Sequence, residues 1–123
     1  MNSIIKEKSF NFSVRVVNFY KYLLTTHSEY VLSKQILRSG TSIGANVSEA
    51  QEAQSDADFI AKLSISLKEA RETEYWMNLL HETNFISDKM KNSLASDLNE
   101  ILAILTSSLK TKKTNIAKKQ NKK

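Results

Sequence analysis

The sequence predicts an all-α protein, an antiparallel up-down-up-down four-helix bundle. Three observations predict it. Proline is absent and glycine occurs twice in 123 residues, well below the usual share, so few turns are encoded. Four segments gather their apolar residues on one side at about 3.6 residues per turn. The period-two alternation of a half-buried strand is missing. Helices joined by short connections pack antiparallel, and a bundle is the simplest architecture that buries four such faces.

The first helix is expected from about Ser9 to Leu24, with Phe12, Val16, Phe19, Tyr20 and Leu23 on one face and Thr26 to Glu29 as the break. The second runs from about Tyr30 to Gln54, with Leu32, Ile36, Gly40, Ile43, Val47 and Ala50 as its stripe. That stripe passes without a phase shift through LRSGTSIGANVSEAQ, residues 37–51, which holds both glycines. The composition resembles a loop, but the phase predicts a helix in which Gly40 and Gly44 admit a close neighbour. Ser55 caps a third helix that reaches about Thr83, with Asp58 in the acidic position of a capping box. Its stripe is Phe59, Ile60, Leu63, Leu67, Ala70 and Met77. Ser87 caps a fourth, with Asp88 in the first turn, where the helix dipole favours an acid. Leu94, Leu98, Ile101, Leu102, Leu105 and Leu109 line its face. Residues 1–109 form the expected bundle. Residues 110–123 lose apolar periodicity and are expected to fray into a lysine-rich, disordered tail.

Charge is divided along the chain. The net charge is +5, but residues 110–123 carry seven lysines and no acid: Lys110, Lys112, Lys113, Lys118, Lys119, Lys122 and Lys123. Residues 1–48 hold six basic and two acidic residues, and residues 49–109 hold five and eleven. The basic character therefore belongs to the tail, and the tail is the candidate nucleic-acid-binding element, neutralising phosphates without reading sequence. No apolar run approaches the ~20 residues of a membrane span. The first ten residues, MNSIIKEKSF, lack the apolar core of a signal peptide. The expectation is a cytoplasmic protein with no membrane partner.

Two seams lie outside the core stripes. On the second helix Gln35, Ser39, Ser42, Asn46 and Glu49 recur every three or four residues. Small hydroxyls and Asn are weak helix formers, so this seam is expected to make a close hydrogen-bonded contact, with a subunit interface as one form of it. On the third helix Ile65, Trp76 and Leu79, with Ala61, are placed opposite the core stripe, and Trp is favoured at interface hot spots. Ser39, Ser42, Asn46, Glu49, Ile65, Trp76 and Leu79 are the candidate interface residues. Glu74 falls near the centre of the third stripe, and a carboxylate there needs a partner such as Arg38 or Arg71.

The residues offer little to catalysis. Cysteine is absent, and His27 and His81 are the only histidines. Neither belongs to an HExxH motif or to the Glu-x-x-His pairs of a di-iron bundle. The stretch GTSIG lacks the GK[ST] ending of a phosphate loop. No catalytic residue, metal ligand or cofactor is assigned, and the expectation is a protein that is not an enzyme.

Residues 31–80 carry the run L-x-x-Q-x-x-R-S-x-x-S-I-x-A-N-x-x-E from Leu32 to Glu49, then Asp58-Phe59-Ile60 and the pair Glu72 and Glu74. This arrangement resembles a family of bacterial four-helix bundle proteins encoded in intervening sequences of large-subunit ribosomal RNA genes. The resemblance covers nearly the whole bundle but not the lysine tail. It implies a homopentameric ring of short bundles and does not imply an enzyme. A relative of that family is the accessory variability protein of retroelements, a pentameric bundle that binds nucleic acid and a reverse transcriptase. That relative is basic around its surface, whereas residues 49–109 here are acidic. Two functions stay open: a homo-oligomeric accessory protein that binds RNA or DNA through its tail, and a protein-interaction scaffold whose acidic half docks a basic partner or the next subunit.

Overall fold

Apolar side chains at helical spacing decide where the four elements form, and the turns between them are short. A computed structural model describes residues 3–121, and these fold as α1 Ser3–His27, α2 Leu32–Gln51, α3 Asp56–Glu82 and α4 Asp88–Asn121, with no strand among the described residues. Each helix packs on its neighbours in the chain, and α4 returns to α1, closing four helices around one core. The α2–α3 contact is the most extensive and the α1–α4 contact the thinnest. Cross-helix pairs run in opposite senses: Val16 faces Gly40 and Ser9 faces Gly44, while Ser66 meets Ile43 and Thr73 meets Ser39. The bundle is therefore antiparallel throughout.

The four expected stripes supply most of the core, with Leu32, Phe59, Ile60 and Leu67 only partly buried against it and Tyr20 left at its margin. Phe12, Val16, Phe19 and Leu23 of α1, Ile36, Ile43, Val47 and Ala50 of α2, and all six fourth-stripe residues are buried. Each fully buried Val, Leu, Ile, Phe or Met side chain is worth about 1.5–3 kcal/mol against leaving it in water. The helix α1 begins earlier than its expected start at Ser9, because Ile5 and Ser9 continue the buried stripe one further turn toward the N-terminus. The core of α3 also contains two residues that hydropathy patterning passes over, Ser66 and Thr73. Glu74 is not in that stripe. Its side chain is about one-third exposed and lies 3.7 Å from Arg71. The turn between Ala70 and Met77 is filled by Thr73, three residues on, rather than by Glu74, four residues on.

Gly40 and Gly44 sit inside α2 with ordinary helical backbone and admit α1. A Cβ built on Gly40 would lie 2.8 Å from both γ carbons of Val16, and one on Gly44 would lie 3.1 Å from the Ser9 carbonyl oxygen. The loop-like composition of residues 37–51 thus serves a close helix crossing.

The helix starts are built by side chains. Ser55 Oγ accepts from the Asp58 backbone N–H at 3.0 Å, and Ser87 Oγ from the Met90 N–H at 3.2 Å, as the capping positions predict. The helix α2 begins differently. Val31 precedes it and supplies no cap. Instead the Glu29 carboxylate accepts the backbone N–H groups of Val31, Leu32 and Ser33 at 3.0, 2.9 and 2.6 Å. Burial pushes the Glu29 carboxyl up, but the N–H groups of Leu32, Ser33 and Val31 and the Ser33 hydroxyl outweigh it and hold its pKa below the ordinary value.

The expected tail is helical. The helix α4 continues unbroken from Leu109 through Lys110 to Asn121, while Lys122 and Lys123 lie outside the described residues. Lys, Ala and Gln favour the helix, and no Gly or Pro follows Leu109 to end it. Lys112 also anchors this stretch, with Nζ 2.8 Å from Asp56 Oδ1 and 5.4 Å from the centre of the Phe59 ring. The division at residue 109 survives in another form, because Leu109 is the last buried apolar side chain of α4.

Candidate nucleic-acid interface and docking faces

The lysine-rich end of α4 projects from the bundle. Asp56 opens α3 and pairs with Lys112. Residues 113–121, at about 1.5 Å each, carry α4 roughly 14 Å past that point. Lys110, Lys113, Lys118 and Lys119 are exposed, and none forms a salt bridge among the described residues. Lys112 differs from its neighbours. It is half-buried, and its hydrogen bond and charge hold the Asp56 carboxyl below its ordinary pKa. Of the seven candidate lysines, four are therefore exposed without a salt bridge, one is engaged in the fold, and two lie outside the described residues. At the root of the projection an open groove of about 600 Å³ is lined by Gln51, Gln54, Phe59, Ser107, Thr111 and Asn115.

The second-helix seam is mainly an internal contact of the chain. Ser39 is fully buried, so it is unavailable to another subunit. Thr73 Oγ1 lies 2.9 Å from Ser39 Oγ and 2.8 Å from the Glu69 carbonyl oxygen. With one proton per hydroxyl, Thr73 donates to the carbonyl and accepts from Ser39. Ser66 Oγ donates to the Ile43 carbonyl at 2.9 Å, again across α2 and α3. Ser42 and Asn46 turn back onto α2, donating to the carbonyls of Arg38 at 2.7 Å and Ser42 at 2.8 Å. Glu49 is exposed, with a carboxylate oxygen 3.8 Å from Lys62 Nζ on α3.

The third-helix patch is smaller than its sequence spacing suggests. Trp76 is half-buried against the core, and its indole N–H donates to Glu72 Oε2 at 3.1 Å. The same carboxylate binds Arg38, whose other nitrogen lies 3.0 Å from Glu69. Leu79 is half-buried, and Ala61, Ile65 and the bordering Tyr75 are exposed. Through Glu72 the indole is linked to Arg38 of α2, so Trp76 is tied to the bundle rather than directed away from it.

A more exposed apolar stripe runs along α1. Phe10, Val14 and Val17 recur at spacings of four and three, and Phe10 is 66% exposed. Beside it a groove of about 560 Å³ is lined by Lys6, Phe10, Ser13, Gly44, Ala45 and Ser48. The signal was present in the sequence as a second apolar period on α1, out of phase with Phe12, Val16 and Phe19.

The histidines have structural partners. The His27 ring nitrogen lies 3.2 Å from the Tyr22 hydroxyl, with its ring against Phe85, and His81 lies 2.5 Å from Asp88 across the α3–α4 turn. Among the described residues no cluster of His, Cys, Asp and Glu could hold a metal ion. No helix among them is long and apolar enough to cross a membrane.

Comparison with known proteins fits this architecture. The model of the family described as 23S rRNA-intervening sequence protein matches residues 1–107. The chain belongs to the 23S rRNA-intervening sequence protein family. The family match takes in α1, α2, α3 and the core-forming part of α4, and it stops before Lys110. Among solved structures, one similar to this member of the family is a protein of unknown function from the S23 ribosomal protein family of Bacteroides thetaiotaomicron. It is 55% identical, with a TM-score of 0.87 over 88% of this chain and 96% of that chain. No curated protein matches the chain.

Proposed function

We propose that this member of the 23S rRNA-intervening sequence protein family is a non-enzymatic, self-associating bundle that binds nucleic acid through the end of α4. The observation that carries the reading is the projection of that helix with Lys110, Lys113, Lys118 and Lys119 exposed along it. Each lysine that neutralises a phosphate releases counterions, so affinity falls steeply with salt. The test is retention of a DNA or RNA fragment by the full chain and by a chain ending at Leu109. Four to six phosphate contacts predict a log–log salt slope of roughly −4 to −5 for the full chain, and the truncated chain should lose most of both affinity and slope. Equal retention by the two chains would remove the helix end from the mechanism.

A specific observation supports self-association over a monomeric bundle. Phe10, Val14 and Val17 make a contiguous exposed apolar stripe beside the α1–α2 groove, and such stripes mark interaction sites. The acidic half of the bundle offers less to a basic partner than its charge suggests. Glu100 and Asp97 pair with Lys8 and Arg15 of α1, and Glu69 and Glu72 pair with Arg38 of α2. Much of the acidic charge thus answers the chain's own basic half.

A further inference from the structure

The lysines at the end of α4 are arranged around the helix axis rather than along one face. At about 100° per residue, Lys113, Lys118 and Lys119 of the projecting segment point in widely separated directions. A helix that lies against a flat phosphate surface uses one side. A helix with cations on all sides suits a channel walled by phosphates. The major groove of B-form DNA is such a channel, about 12 Å wide between its phosphate backbones, and a helix with its side chains is about 10–12 Å across. The side chains at the projecting end are compatible with entry. Thr114 and Ala117 are small, and Gln120 and Asn121 carry amides of the kind that reach base edges, while Asn115 lines the groove at the root. The projection contains no aromatic residue, so it lacks the stacking platform that holds single strands. The major groove of A-form RNA is deep and narrow and does not admit side chains in this way.

Resting on the proposed nucleic-acid reading, we infer that residues 113–121 of α4 enter the major groove of duplex DNA as a preformed helix. The ion pair between Asp56 and Lys112 sits at the base of this helix and positions it, while the exposed lysines contact the two phosphate walls.

Binding of one 20-base-pair DNA duplex, the RNA duplex of the same sequence and its single strands to the full chain, measured by fluorescence anisotropy across a salt series, tests the inference. The expected result is about tenfold tighter binding to duplex DNA than to the other two. Ala117→Pro keeps every lysine but breaks the helix, so it should erase that preference. Its bundle should melt as the parent does, because apolar burial in α4 ends at Leu109. Lys118→Gln with Lys119→Gln should lower the magnitude of the duplex salt slope by about two, whereas Lys112→Gln, already engaged with Asp56, should change it by less than half of one contact's share. RNA or single strands bound as tightly as duplex DNA, or a preference that survives Ala117→Pro, would overturn groove entry while leaving a basic nucleic-acid-binding tail. Failure of every nucleic acid to bind at low salt would overturn both readings.

Discussion

Gly40 and Val16 form a contact with no spare room. Val16 is buried and branched at Cβ, so it cannot rotate away from a methyl group placed 2.8 Å from both its γ carbons. Gly40→Ala should gain about 1 kcal/mol of helix propensity but lose about 1–3 kcal/mol to overpacking, for a net loss in urea denaturation. In a Val16→Ala background both γ carbons are gone and only the Cβ of residue 16, 3.2 Å from the added methyl, remains, so the same substitution should cost clearly less. Equal effects in the two backgrounds would show that the glycine is not kept for this crossing. The close approach was legible in the sequence because Gly40 kept the phase of Ile36 and Ile43. Ser39 was legible too, on a seam expected to hydrogen-bond a close neighbour, but the buried hydroxyls of α3 were not. Ser66 and Thr73 count as polar in a hydropathy pattern, and only the facing helix shows that each finds its partner inside. Glu74 was misplaced for a related reason, since positions three and four residues after Ala70 both fit a helical stripe and packing chose Thr73.

The individual helices differ in how they begin and end. The start of α2 depends on one carboxylate, Glu29, two residues ahead of the usual capping position. A carboxyl held low in the folded state adds stability above its unfolded pKa of about 4.3. That contribution is lost as pH falls through the lower folded value. Glu29→Gln should cost about 0.5–2 kcal/mol at pH 7, the range of a lost cap, and the gap to the parent should narrow as the pH falls below about 4. Denaturation curves that stay parallel over this range would remove Glu29 from the cap. The sequence marked residues 26–29 as a break without revealing that the break builds the next helix, because Glu is not an ordinary capping residue. The end of α4 was hidden for the opposite reason. Apolar period is the main helical signal, and beyond Leu109 the helix persists on propensity and the Lys112 anchor alone.

At the scale of the molecule, charge and apolar surface have separate roles. Basic α1 and α2 face acids of α3 and of the core-forming part of α4 through Lys8, Arg15 and Arg38, so the asymmetry seen along residues 1–109 is an internal complement. The exposed stripe of α1 is left for another copy. Phe10→Glu should leave the bundle folded, because Phe10 is 66% exposed, and should shift the mass in light scattering toward the 14.0 kDa monomer. Parent protein that is already monomeric at micromolar concentration would end the self-association reading. An assembly unchanged by Phe10→Glu would move the contact to Ile65 and Tyr75. The thin α1–α4 seam has a consequence of its own. Every other helix contact joins neighbours in the chain, so three hairpin-like pairings can form locally, and local pairings favour fast folding. Lys8–Glu100 and Arg15–Asp97 span nearly the whole chain, which makes their closure the natural last step of folding and their parting the natural first step of unfolding.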